Sequence, residues 1–170
     1  MINAGLLGLG WWGKLIIDTL KDSDKIRVTS ASSRTMAKHK EYLEENKINA
    51  FPTYDQMLEE NNIDAIIICT PNSQHEDQLK SAIKAKKQVF CEKPMALSRS
   101  SAEKMIRIAD ESNFIIGIGH ERRYDPAIEK LKSIIDDDAF GEKMNIEANW
   151  SHDILDSLYN DNWMSYSLES

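Results

Sequence analysis

The sequence is poor in the features that announce several common functions. It holds two cysteines in 170 residues, Cys69 and Cys91. Neither sits in a Cys-x-x-Cys pair, and no histidine cluster has ligand spacing. Neither a disulfide framework nor a metal site is therefore indicated, and both thiols read as small buried hydrophobes. Cations are in the minority: 21 Lys and Arg against 28 Asp and Glu leave a net charge of −7. That balance argues against general nucleic-acid binding, which needs a basic footprint. No run of like charge is longer than Asp136-Asp137-Asp138. No apolar stretch approaches the roughly 18 residues of a membrane span. The opening MINAGLL has no basic residue before its apolar run, so it reads as a first strand rather than a signal peptide. No repeat or low-complexity linker is visible. The expectation is a cytoplasmic protein with neither membrane nor nucleic acid as partner, made of one domain and part of a second.

What is present is an alternation. Short apolar runs at Ile2–Leu7, Ile26–Ala31, Ala65–Cys69, Gln88–Cys91 and Phe114–Ile118 are nearly continuous in apolar character. Strands buried on both faces look like this. Amphipathic stretches lie between them, at Gly13–Lys21, Ala37–Asn46, Tyr54–Asn61, Ser73–Ala85 and Ser98–Ser112. Ser98 is placed to cap the last of these, with Ser101 where a full capping box has Glu. Strand and helix in alternation predict an α/β fold, a doubly wound parallel Rossmann sheet with helices on both faces. This domain is expected over residues 1–120.

The pattern changes afterwards. Asp125-Pro126 predicts a helix start, running to about Asp136. In Lys143–Ser151, Met144, Ile146, Ala148 and Trp150 alternate with polar residues, which predicts a strand with one buried face. Residues 121–170 thus read as the opening of a second α+β domain. Its tail carries Trp150, Leu155, Leu158, Tyr159, Trp163, Met164 and Tyr166 with little left to bury them, which would invite self-association or disorder.

The most informative stretch is AGLLGLGWWGKLI, residues 4–16. Gly8-x-Gly10-x-x-Gly13 follows the first strand and opens the first helix. Gly8 would allow a tight turn, Gly10 the approach of a phosphate, and Gly13 close packing of helix on strand. The helix N-terminus would then offer free N–H groups and partial positive charge to a pyrophosphate. Trp11 and Trp12 either cover apolar surface or stack on a cofactor.

A dinucleotide fold usually places Asp or Glu about 20 residues after the glycines, on the ribose of NAD. Here Ser33 stands there, followed by Arg34, with Lys38 one turn on. A hydroxyl beside a guanidinium suits a 2′-phosphate, so NADP is expected, with NAD the alternative. The missing acid also disfavours an S-adenosylmethionine methyltransferase.

Two more strand ends carry polar residues: Cys69-Thr70-Pro71-Asn72 with His75 beyond, and Cys91-Glu92-Lys93-Pro94. In an open parallel sheet, ligands lie beyond the carboxyl ends of the strands, so these ends should converge on one crevice. A lysine there could donate a proton to, or polarise, a hydroxyl or carbonyl.

Taken in order, GLGWWG, TPNSQH, KKQVFCEKPMAL and GHERRYDPAI resemble the Gfo/Idh/MocA oxidoreductases over residues 1 to about 151. The resemblance implies reversible hydride transfer between a nicotinamide and a sugar, cyclitol or related secondary alcohol. It implies that Gly8, Gly10 and Gly13 hold the pyrophosphate and that Ser33 and Arg34 match residues of NADP-using members. Thr70, Pro71, Asn72 and His75 would line the nicotinamide half. Glu92 would contact the cofactor, Lys93 would act on the substrate oxygen, and Arg123 would lie near the nicotinamide. The family's second-domain pattern, Asp followed four residues later by His, has no match: Asp153, Asp156 and Asp161 lead to Ser157, Asn160 and Ser165. The 170-residue chain alone is therefore expected to turn over poorly, and the full-length form to be a homo-oligomer. A non-catalytic nucleotide-binding module is the alternative.

Overall fold

A computed structural model describes residues 1–149 and residue 151. The chain alternates β1 (Ile2–Leu7), α1 (Trp11–Leu20), β2 (Ile26–Ser32), α2 (Lys40–Glu45), β3 (Asn49–Phe51), α3 (Tyr54–Leu58), β4 (Ala65–Ile68), α4 (His75–Lys84), β5 (Gln88–Cys91), α5 (Arg99–Ser112), β6 (Ile116–Ile118) and α6 (Pro126–Ile135). Six strands form one sheet in the order β3-β2-β1-β4-β5-β6. Every neighbouring pair is parallel. The order reverses between β1 and β4, which makes their carboxyl ends the switch point of a doubly wound sheet.

The isoleucines of β4 show how the two faces are filled. Side chains alternate across a strand. Ile66 and Ile68 join a core with Met57, Leu79, Val89 and Met105, on the side of α3, α4 and α5. Ile67, between them, joins the other core with Leu6, Ile17, Ala31 and Leu43, on the side of α1 and α2. That double burial is why the strands read as continuous apolar runs.

The helix starts follow the capping chemistry. The Ser98 hydroxyl accepts from the Ser101 N–H at 3.2 Å, and the Asp125 carboxylate accepts from the Ala127 N–H at 2.9 Å with Pro126 in the first turn. Other boundaries moved. The amphipathic stretch Ala37–Asn46 is a single 3-10 turn, Met36–His39, followed by the short α2. A turn at Asn72–Gln74 likewise precedes α4.

Met1–Gly119 form one compact unit and the described residues from His120 onward a second. In the second unit, the strand expected over 143–151 does not form: residues 141–149 are neither helix nor strand. A strand needs a neighbour for its N–H and C=O groups. Among the described residues none pairs with this segment, and Met144 and Ile146 are 86% and 64% exposed. The aromatic tail singled out in the sequence, from Leu155 to Tyr166 together with Trp150, lies outside the described residues. Among the described residues, no helix is long and apolar enough to cross a membrane, and no group of His, Cys, Asp and Glu could hold a metal ion.

Candidate cofactor crevice

The turn after β1 is built from contacts that only glycine permits. Gly8 has φ +101°, and a Cβ there would lie 2.6 Å from the Cys69 carbonyl oxygen. Its N–H donates to the Ser32 carbonyl at 2.9 Å, while the Cys69 N–H donates to Leu7 at 2.8 Å. The turn is thus wedged between the ends of β2 and β4. A Cβ on Gly13 would sit 2.1 Å from the Gly8 carbonyl oxygen, so α1 lies directly on the turn. Gly10 differs. A Cβ there would meet no protein atom within 4 Å. Nothing within the unit requires glycine at this position; space is kept open above the backbone. Gly10 is also the N-cap of α1, with no side-chain cap bond and no acid in the first turn. The first N–H groups are left to an external acceptor.

Trp11 and Trp12 flank this opening, with ring centroids 5.3 Å apart and planes tilted by 49°. Trp11 is 76% exposed, so it covers little of the protein. Trp12 is half-buried, and its buried Nε1 has no hydrogen-bond partner among the described residues.

At the end of β2, Ser32 is buried, Ser33 partly buried and Arg34 exposed. The following turn carries Lys38 and His39. The Thr35 hydroxyl meets His39 Nε2 at 3.2 Å, and the buried Nδ1 has no partner among the described residues. Burial, then the charges of Lys14 and Lys38, hold His39 below the usual imidazole range. Lys14, directly after Gly13, rests 4.7 Å over the Tyr42 ring. The end of β2 is therefore a cationic patch. Sequence reasoning found Arg34 and Lys38 but missed Lys14 and His39, whose only signal was their distance from the glycines and Arg34.

Beyond β4, the Thr70 hydroxyl donates to Gln78 of α4, a partner the motifs did not flag. Pro71 is partly buried and Asn72 buried. His75 is a correction. Its ring is 0% exposed, with Nδ1 2.9 Å from the Pro94 carbonyl oxygen and Nε2 2.9 Å from that of Thr70. Both ring nitrogens are committed to the backbone, so His75 has no polar atom to offer a cofactor.

Beyond β5, Glu92 and Lys93 do not form an ion pair. Lys93 is exposed, whereas Glu92 is 8% exposed. The Glu92 carboxylate accepts from the Lys93 N–H at 3.3 Å and lies against Gly119, where a Cβ would come 2.5 Å from Oε1. Among the described residues no cation pairs with it. Burial and then the Glu92 charge push the Cys91 thiol up to about 12. Burial and Glu92 raise Cys69 as well. Neither thiol is a ready nucleophile. The Glu92 N–H donates to Ile68 at 3.0 Å, which brings the ends of β4 and β5 together. Arg123 belongs to the second unit, exposed on the turn Glu121–Tyr124.

Gly8, Gly10, Gly13, Thr70, Glu92 and Lys93 therefore all sit at the carboxyl ends of three adjacent strands. A groove of about 460 Å³, lined by residues including Lys21, Arg27 and Lys47, lies at the opposite end of the strands and holds none of these groups.

A sequence model described as an oxidoreductase family with an NAD-binding Rossmann fold, GFO_IDH_MocA, matches residues 2–120. The myo-inositol 2-dehydrogenase of Thermotoga maritima is 29% identical over 144 residues, which are 83% of this chain and 42% of that protein. A D-xylose 1-dehydrogenase [NADP(+)] of Haloarcula marismortui is 27% identical over 169 residues, 91% of this chain and 44% of that one. The crystal structure of scyllo-inositol dehydrogenase from Lactobacillus casei with NAD(H) and scyllo-inositol matches with TM-score 0.77 and 28% identity, over 84% of this chain and 43% of that chain. The chain spans less than half the length of these relatives.

Proposed function

We propose, for a chain that belongs to the Gfo/Idh/MocA oxidoreductase family, that its crevice binds NADP in preference to NAD. It would serve reversible hydride transfer to or from a sugar, cyclitol or related secondary alcohol. The observation that carries this reading is Gly10, a glycine with open space above it, between two glycines whose missing side chains are filled by backbone. Relatives named for NADP and for NAD(H) both occur, so the choice rests on the β2 end. That end has no carboxylate from Ser33 to Lys40 and carries Arg34 and Lys38, with Lys14 near His39.

In this reading the N–H groups at the start of α1 hold the pyrophosphate, with the helix dipole adding about 0.3–1 kcal/mol. Ser33 and Arg34 hold the 2′-phosphate, the guanidinium by paired hydrogen bonds. Thr70, Pro71 and Asn72 line the nicotinamide half, and Trp11 lies exposed beside the opening. Glu92 accepts a hydrogen bond from the cofactor side. The bound nicotinamide supplies or takes up the hydride. Lys93, exposed at the crevice, gives a proton to the substrate oxygen in reduction and takes one in oxidation. The second-domain acid/base histidine has no counterpart in these 170 residues, so cofactor binding without substantial turnover is expected of them.

The test is calorimetry of NADPH and NADH on this chain and on Arg34→Ala. Tighter NADPH binding, weakened roughly tenfold or more in the variant with NADH unchanged, is the expected result. Equal affinity for both would remove the 2′-phosphate reading. No binding of either would favour a module with some other ligand.

A further inference from the structure

We propose that His75 positions the Glu92-Lys93-Pro94 segment by bridging the Thr70 and Pro94 carbonyls with its two ring nitrogens. The proposal deepens the cofactor reading above and rests on it.

A backbone carbonyl oxygen only accepts hydrogen bonds. His75 has one on each side, Pro94 at Nδ1 and Thr70 at Nε2, each at 2.9 Å. With the ring 0% exposed, both contacts are sheltered from solvent, so the ring bridges the ends of β4 and β5 from the start of α4.

The clasp joins three segments: the end of β4 through Thr70, the start of α4 through His75 itself, and the segment after β5 through Pro94. It fixes the backbone immediately after Lys93 and leaves the lysine side chain free.

Calorimetry on the 170-residue chain tests this by comparing NADPH with 2′,5′-ADP, which lacks the nicotinamide half. His75→Ala should weaken NADPH roughly tenfold and leave 2′,5′-ADP unchanged. His75→Gln, which keeps an amide donor, should recover part of the loss. Equal weakening of both ligands, or of neither, overturns the positioning role. An unaltered chain that binds neither ligand sinks the cofactor reading and the positioning role with it.

Discussion

The carboxylate of Glu92 rests on the backbone of Gly119, whose N–H is itself bonded to the Cys91 carbonyl at 2.9 Å. A methyl group at Gly119 would have to push the carboxylate aside. Because a side-chain end can move, Gly119→Ala should fold with its thermal midpoint changed by a few degrees. NADPH affinity, read by calorimetry, should fall roughly tenfold. An unchanged affinity would show that the position of Glu92 does not matter to the cofactor.

The glycines of the first turn should separate stability from binding. Gly10→Ala meets open space at an ordinary φ of −70°, so urea unfolding should shift by no more than about 1 kcal/mol. Cofactor binding should nevertheless be lost. Gly13→Ala drives a methyl into the Gly8 carbonyl and should cost about 3 kcal/mol or more. Similar unfolding curves for the two variants would contradict this assignment.

Glu76 ties α4 to α5 through Lys104 and the Ser101 hydroxyl, and its pair with Lys80, one turn along α4, does most to hold its carboxyl down at about 2. A carboxylate with a depressed folded pKa stabilises the fold above its unfolded value near 4.5, and that stability is lost as pH falls toward 2. Glu76→Gln should remove this acid-sensitive component. Melting temperatures followed from pH 6 to pH 2.5 should converge for the two proteins as the pH drops. Parallel curves would mean that the network contributes nothing.

Cys91 is wholly buried and its thiol is pushed up to about 12. Native chain treated with iodoacetamide at pH 8 should leave Cys91 unmodified, and unfolding in urea should expose it. Rapid native modification, read by mass spectrometry of the peptide, would show that the β5 end opens readily.

Much of this architecture was legible because burial on both faces forces strands into unbroken apolar runs. The ends of β1 and β5 fell where those runs stop. The 3-10 turn at Met36–His39 was hidden because its polar and apolar residues also suit a helix. β3 was hidden because a three-residue edge strand with two exposed residues leaves no periodic signature. The alternation from Met144 to Ala148 did suggest a strand, yet pairing depends on a neighbour that local pattern cannot specify. In the crevice, the glycines and Glu92-Lys93 could be located from spacing. The commitment of His75 to two backbone carbonyls could not, since it depends on how the segments after β4 and β5 meet. Gly119 was invisible for the same reason.

The three isoleucines of β4 make the chain its own two-channel reporter. Ile66 and Ile68 belong to one core and Ile67 to the other, although the three are consecutive. Isoleucine methyl relaxation in this tripeptide would record each side of the sheet separately. A cofactor that stiffened only the glycine-turn side would quiet the middle methyl and leave those on either side of it unchanged.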